Sequence, residues 1–493
     1  MRYFPLTSLR SQAALLFFGA SALYLLTASC SLDEWDSVQF ALGVHDFDIA
    51  KHQPHPPGYP LYEFSGWVLS SLFGWSAQQS LTVCSALGGG LFVASWFGIF
   101  AQFVPRPAAL SCGLAIAVTP VVWLTSTKVL TDAPAAGFFA MELLAGVCYA
   151  RNPARRTLIA AALAGAAAAG FRPQNFAVAS IPLVFCLISS RASRRQWLLG
   201  FAVFFFGCLT WFAPLMWMQA HSGPGEVNWL AYPQQLLTQW KWRLDKPGVY
   251  IGAGHWDWSY FSKRFDEHIR RGWFSLGLGI DGHRRHGKVV LALLITGWVA
   301  FLRRRTLPGS FWKMQAAWAP AYVLMIFVCL PGDQRYYLPI IPLLVATAVL
   351  GLSTLTPRFQ FAPLALAGTL LVITAPLAMQ AHREEAPPIR SIRYLQSRFA
   401  PDERGNVWLC FSSARRHAGW YAEGFGFSPG LSESHDFLVA ARKSGQSVFC
   451  DDLAAGERAE WKGAKLTKVF AAQRSPVIYR KHAQSVLYEV RWP

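Results

Sequence analysis

The sequence predicts an all-α polytopic membrane protein of about eleven helices, joined to a small C-terminal α/β domain outside the bilayer. Three observations predict it. Hydrophobic residues make up 53% of the 493 and charged residues only 15%, a balance foreign to an ordinary soluble domain. Apolar runs of spanning length recur through the first 380 residues. Beyond Gln380 the apolar spacing changes to short strand-like pieces.

The first run, 12–29, has no charged residue and is long enough to cross a bilayer, for which roughly 17 to 25 residues are needed. It reads as a retained span, with cleavage near Ala28-Ser29-Cys30 or a lipid anchor on Cys30 as alternatives. Further runs follow near 80–103, 108–125, 133–150, 157–171, 174–190, 197–219, 288–302, 314–330, 338–355 and 361–379.

The net charge of +18 suggests nucleic acid until its placement is read. Arg151 to Arg156, Arg191 to Arg195 and Arg303 to Arg305, with Arg2, Arg10, Arg106 and Arg358, all fall on one side of the membrane. The positive-inside rule makes that side cytoplasmic, so the excess sets orientation and no nucleic-acid partner is expected. The acidic loop after the first span, the turn from Lys128 to Asp132, the segment 220–287, the turn 331–337 and the tail are then extracytoplasmic.

That first loop, 31–75, gathers Asp33, Glu34, Asp36, Asp46 and Asp48 before His52 and the run His55-Pro56-Pro57-Gly58-Tyr59-Pro60-Leu61. Proline fixes φ and removes amide donors, while Gly58 permits a turn. The motif either only stiffens the loop or also presents His52 or His55 to a sugar or phosphate. In 220–287, Trp229, Trp240, Trp242, Trp256, Trp258 and Trp273 alternate with basic residues. An interfacial amphipathic helix over 233–244 accounts for them, or a lid jointed at Gly252, Gly254, Gly272, Gly277, Gly279 and Gly282. His221, His255, His268, His283 and His286 read as solvated and receive no role.

Seven cysteines (Cys30, Cys84, Cys112, Cys148, Cys186, Cys208 and Cys329) lie in or beside spans and read as small core residues. Cys410 and Cys450 fall in the tail, where an oxidising compartment would permit a disulfide, and their pairing stays open. Strand-like pieces at 407–411, 448–451, 468–471 and 486–492 make 381–493 a domain of its own beside the membrane domain 1–380.

Asp36-Ser37-Val38-Gln39-Phe40-Ala41 resembles the Asp-Glu-x-Arg-Tyr-Ala segment of aminoarabinose and protein O-mannosyl transferases, members of the GT-C superfamily of polyprenyl-phosphate-sugar glycosyltransferases. Ser37 and Gln39 depart from that pattern. The run from His55 to Leu61 is similar to the end of the first loop in O-mannosyltransferase-like proteins. Thr131-Asp132, Gly170-Phe171-Arg172-Pro173 and Arg335-Tyr336-Tyr337-Leu338-Pro339 resemble further segments of these enzymes.

The resemblance implies an integral-membrane inverting glycosyltransferase using a polyprenyl-phosphate-linked donor. An acceptor hydroxyl needs a carboxylate to take its proton; Asp36 is the expected base, with Asp33 or Glu34 as alternatives and helix capping as the bland one. The phosphate leaving group needs cations, and Lys128, Arg172 and Arg335 are the candidates, with His52, His55, Tyr59 and Tyr336 as further substrate contacts. Snorkelling explains Arg335 equally well. Asp132 is a candidate ligand of a divalent metal ion. The acceptor is a lipid, a glycan or a protein, and the place a bacterial-type cytoplasmic membrane with the site facing outward. A transporter or flippase of a lipid-linked saccharide is the alternative function, although its expected mid-span polar residues and repeated halves are not evident.

Overall fold

The computed structural model describes residues 8–221, 227–245, 258–280, 284–330, 332–355, 362–427, 443–456 and 463–492. Expectations placed on Arg2, Gly252, Gly254, His255, Trp256, Gly282, His283 and Arg358, and on the side chains of Trp240, Trp242 and Cys329, lie outside the described residues. The chain divides into two compact units, one of Met1–Ala28 with Phe40–Pro376 and one of Ser29–Gln39 with Leu377–Pro493. The segment 29–39, which the sequence reading places with the membrane domain, therefore clusters with the C-terminal residues.

The helices of the first unit are α1 (Leu9–Leu26), α2 (Trp35–Gly43, shared with the second unit), α3 (Pro60–Phe73), α4 (Ala77–Phe100), α5 (Arg106–Ala117), α6 (Pro120–Ser126), α7 (Asp132–Arg151) and α8 (Arg155–Phe171). They continue as α9 (Phe176–Ser189), α10 (Arg194–Ala220), α11 (Ala231–Asp245), α12 (Trp258–Phe265), α13 (Arg284–Arg304), α14 (Gly309–Cys329), α15 (Ile341–Leu352) and α16 (Ala362–Arg383, again shared). Capping boxes begin α4 at Ser76 and Gln79 and α10 at Ser193 and Gln196, where each side chain satisfies an amide that the first turn leaves open.

All eleven expected runs are helical, but the count of spans differs. Among the described residues six helices are long and apolar enough to cross a membrane, or seven if the α5–α6 pair, bent by 60°, is one span. Pro120 cannot donate the bond that would continue α5. The runs 174–190 and 338–355 form helices of 14 and 12 residues, too short to span alone, and the run 157–171 forms one of 17, at the lower limit.

Close approach of small residues packs the unit. A Cβ at Gly88 would collide with Pro134 of α7, one at Gly137 with the Gly88 carbonyl, and one at Gly90 with Ser21 of α1. Lipid tails supply little drive for helices to associate, so such contact takes its place. Phe18, Phe205, Phe206 and Trp217 are more than half exposed, as lipid-facing side chains of an integral membrane protein should be. Gly272, expected as a joint, lies in the π-helix Asp266–Gly277 that continues α12, where an added Cβ would strike Tyr337. His268 is likewise no solvated residue: it is buried, bonded to the Tyr337 hydroxyl, and held down to about 3 by burial and then Arg264. Cys30 is exposed instead of packed in a core.

The second unit adds α17 (Pro387–Arg398), α18 (Arg415–Tyr421) and strands β1 (Val407–Cys410), β2 (Gly426–Phe427), β3 (Ser447–Asp451), β4 (Lys465–Gln473) and β5 (Gln484–Arg491). The sheet order is β2-β1-β3-β5-β4, with β1 parallel to β2 and β3, and β5 antiparallel to β3 and β4. Ile392 and Leu395 of α17 bury against Leu409, Phe449 and Leu487 on one sheet face. Cys410 and Cys450 are register partners on β1 and β3 and are not joined in a disulfide; burial pushes the Cys450 thiol up and keeps it protonated.

Candidate functional site

In the membrane unit a buried charge cluster forms where three turns meet. Leu130 donates its N–H to Ser85 Oγ at 3.3 Å, and that hydroxyl bonds Tyr62 at 2.8 Å. This fixes the turn that delivers Asp132 as the first residue of α7. Arg172 caps the end of α8 just before a 3₁₀ turn begun by Pro173, and its guanidinium donates to Asp132. Arg335, on the 3₁₀ turn Gln334–Tyr337, lies 3.9 Å from the same carboxylate and 3.6 Å from Asp333. Both guanidinium groups stand 5.1 Å from the Tyr336 ring centre. All four side chains are under 10% exposed, so each charge is answered by a partner instead of water.

Beside the cluster opens a cavity of about 290 Å³ lined by His55, Tyr59, Arg172, Gln174, Tyr232 and Tyr336, among others. Tyr59 adopts left-handed backbone, φ 49°, immediately before Pro60 opens α3, a strained conformation for a residue with a Cβ. Its hydroxyl meets His55 Nε2 at 2.8 Å, and Phe40 packs edge-on against its ring. Tyr232 of α11 donates to the Pro57 carbonyl at 2.9 Å. The aromatic segment therefore braces the proline motif.

Of the expected substrate contacts, His55, Tyr59, Arg172 and Tyr336 share this cavity. Arg335 grips the same aspartate and ring but does not contribute to the lining. Lys128 is buried in the turn before α7, and His52 lines a separate, more open cavity with Ile49, Asn228 and Gln235. Asp132 already faces guanidinium groups, and among the described residues no three His, Cys, Asp or Glu side chains group to hold a metal ion.

The three candidate bases, Asp33, Glu34 and Asp36, lie in the second unit. Asp33 is fully buried, 3.1 Å from Arg474, and accepts from the Ser31 hydroxyl at 2.9 Å. Around it His482 Nδ1 bonds the Asp33 carbonyl at 3.0 Å, His417 Nε2 bonds the Leu32 carbonyl at 3.0 Å, and the Leu32 N–H donates to Tyr421 at 3.0 Å. Trp35 donates its indole N–H to the Ser413 carbonyl while Arg415 covers its ring at 5.5 Å. Glu34 is also buried. Asp36, in the first turn of α2, is half-buried. Burial first, and then Arg415, hold the neighbouring Arg416 guanidinium down to about 10, against the pull of Asp36.

Sequence reasoning missed Arg474, His417, His482 and Tyr232, which stand in no motif and far along the chain from what they hold, and also Asp333, two residues before the Arg335 it meets.

Residues 54–217 match the family model for dolichyl-phosphate-mannose-protein mannosyltransferase, a stretch that takes in the proline motif, Asp132 and Arg172. Protein O-mannosyl-transferase tmem260 of Dictyostelium discoideum is 28% identical over 147 residues, 28% of this chain; the chain spans only 17% of that relative's length. Among solved structures, ArnT from Cupriavidus metallidurans bound to undecaprenyl phosphate superposes with a TM-score of 0.60 at 13% identity, covering 97% of this chain and 98% of that one. The apo oligosaccharyltransferase of Archaeoglobus fulgidus gives 0.50 at 13% identity over 92% of this chain and 70% of that one. The chain shares the fold of these two solved structures.

Proposed function

We propose that the protein is an inverting glycosyltransferase that moves a sugar from a polyprenyl-phosphate carrier to an acceptor hydroxyl on the extracytoplasmic side of a bacterial-type cytoplasmic membrane. The observation that carries this reading is the Arg172–Asp132–Arg335 cluster beside a cavity that His55, Tyr59 and Tyr336 also line. Asp132 orients the Arg172 fork toward one geometry, which suits bidentate recognition of a phosphate. A leaving phosphate gains negative charge as the glycosidic bond breaks, and fixed cations in a site shielded from water favour that change. His55 and Tyr59, bonded to each other, supply further polar contacts for the phosphate or sugar.

Asp36 is the base in this scheme. It takes the acceptor's proton as the acceptor oxygen bonds the anomeric carbon and the lipid phosphate departs with the bonding pair. Single displacement inverts the centre and needs one base only. Burial and the ion pair with Arg474 give Asp33 a structural role, which leaves the half-buried Asp36 for chemistry. The undecaprenyl phosphate bound by the structurally similar ArnT supports a polyprenyl carrier, and the mannosyltransferase family match supports sugar transfer. The acceptor is a lipid, glycan or protein hydroxyl. Purified protein given a polyprenyl-phosphate sugar and an acceptor should release the lipid phosphate, and Asp36→Asn should slow release by about 10² to 10⁴-fold while folding normally. A carrier that only translocates the lipid would release none with either protein.

A further inference from the structure

A second cavity in the membrane unit, about 730 Å³, lies between the first turns of α3 and the C-terminal half of α10. It shares Pro60 and Leu61 with the proline motif but none of the lining of the cavity beside Arg172. Its walls are apolar, from Leu61, Phe64, Trp67, Trp211 and Leu215, and Phe64 and Trp67 are 58% and 53% exposed at its lipid-facing flank. One polar group stands out. Glu63 is 3% exposed, and neither of its carboxylate oxygens has a hydrogen-bond partner. Gly43 leaves it room, since a Cβ there would come within 2.9 Å of Glu63 Oε2.

A buried carboxylate with no partner is costly, and the lining contains no Lys or Arg to answer it; its one histidine, His45, is exposed. The other acidic group of the lining, Asp46, already meets Lys51 at 3.0 Å. The Thr210 hydroxyl donates back to the Gly207 carbonyl at 2.7 Å. What the cavity lacks is a cation on an apolar body. We infer that it binds an amphiphile carrying a primary ammonium, its nitrogen on Glu63 and its alkyl chain along Phe64, Trp67 and Leu215. The site is separate from the Arg172 cavity, and its occupancy is readable without turnover.

Equilibrium binding of radiolabelled stearylamine, stearyl alcohol and stearate to the full chain in phosphatidylcholine nanodiscs, with protein-free discs subtracted, tests this. The amine should bind saturably and about tenfold or more tighter than the alcohol, because a charged hydrogen bond is added on the same chain, and stearate should not compete. Glu63→Gln should abolish the preference for the amine while alcohol binding persists. Equal affinities for amine and alcohol in the unaltered protein, or a preference that survives Glu63→Gln, would overturn the assignment. The comparison on unaltered protein decides even if the variant does not fold.

Discussion

Replacing Arg474 with alanine would leave Asp33, 0% exposed, as a buried charge without its guanidinium. Breaking one side of such a pair costs about 3 to 5 kcal/mol, so Arg474→Ala should lower the melting temperature sharply, and Asp33→Asn added to it should restore part of the loss. His417 and His482 make the same segment sensitive to acid. Burial is the main cause holding them down to about 3 and about 4, against the ordinary 6.5. Unfolded chain takes up their protons below about pH 6.5 while the folded chain refuses them. Stability is therefore full above that pH and falls as the pH drops toward 4, by up to about 1.4 kcal/mol per pH unit for each histidine. Thermal melts at pH 5 and 7.5 should show it, and the His417→Gln, His482→Gln double variant should flatten the difference. Asp132, Arg172, Arg335 and the proline motif were legible because each stands in a short segment with its own chemistry. Arg474 and the two histidines were not, since a buried ion pair across more than 400 positions leaves no local trace.

At the scale of elements, hydropathy located every membrane-unit helix that it named, and alternation located β1, β3, β4 and β5 within a few residues. It gave no sign of the 60° break between α5 and α6 beyond Pro120, nor of the π-helix over Asp266–Gly277, because both depend on what packs against them. The clearest element-scale contact is that of α4 with α7, where Gly88 lies on Pro134 and Gly137 on the Gly88 carbonyl. A side chain at position 88 meets backbone and ring atoms that cannot yield. Gly88→Val should force the helices apart and remove the monodisperse protein peak on size exclusion in detergent, whereas Gly368→Val, with nothing within 4 Å of its added Cβ, should leave it intact.

At the scale of the whole molecule, the sequence separated membrane helices from a C-terminal α/β region and placed 29–39 with the helices, whereas in the structure the segment groups with the C-terminal residues. That segment follows an apolar run and reads as a plain external loop; its bonds to Ser413, Tyr421, His417, Arg474 and His482 form only once the tail has folded. The orientation drawn from arginine placement predicts that Cys at position 51 and Cys at position 193, both exposed in the native Lys51 and Ser193, react with an impermeant maleimide from opposite sides in a Cys30→Ser background. Labelling of both from one side would refute it. Sugar transfer itself is tested most directly by steady-state kinetics of Asp36→Asn with a polyprenyl-phosphate sugar. The account predicts kcat lower by about 10² to 10⁴-fold with the donor KM unchanged, since the phosphate is held elsewhere; an unaltered kcat would contradict it.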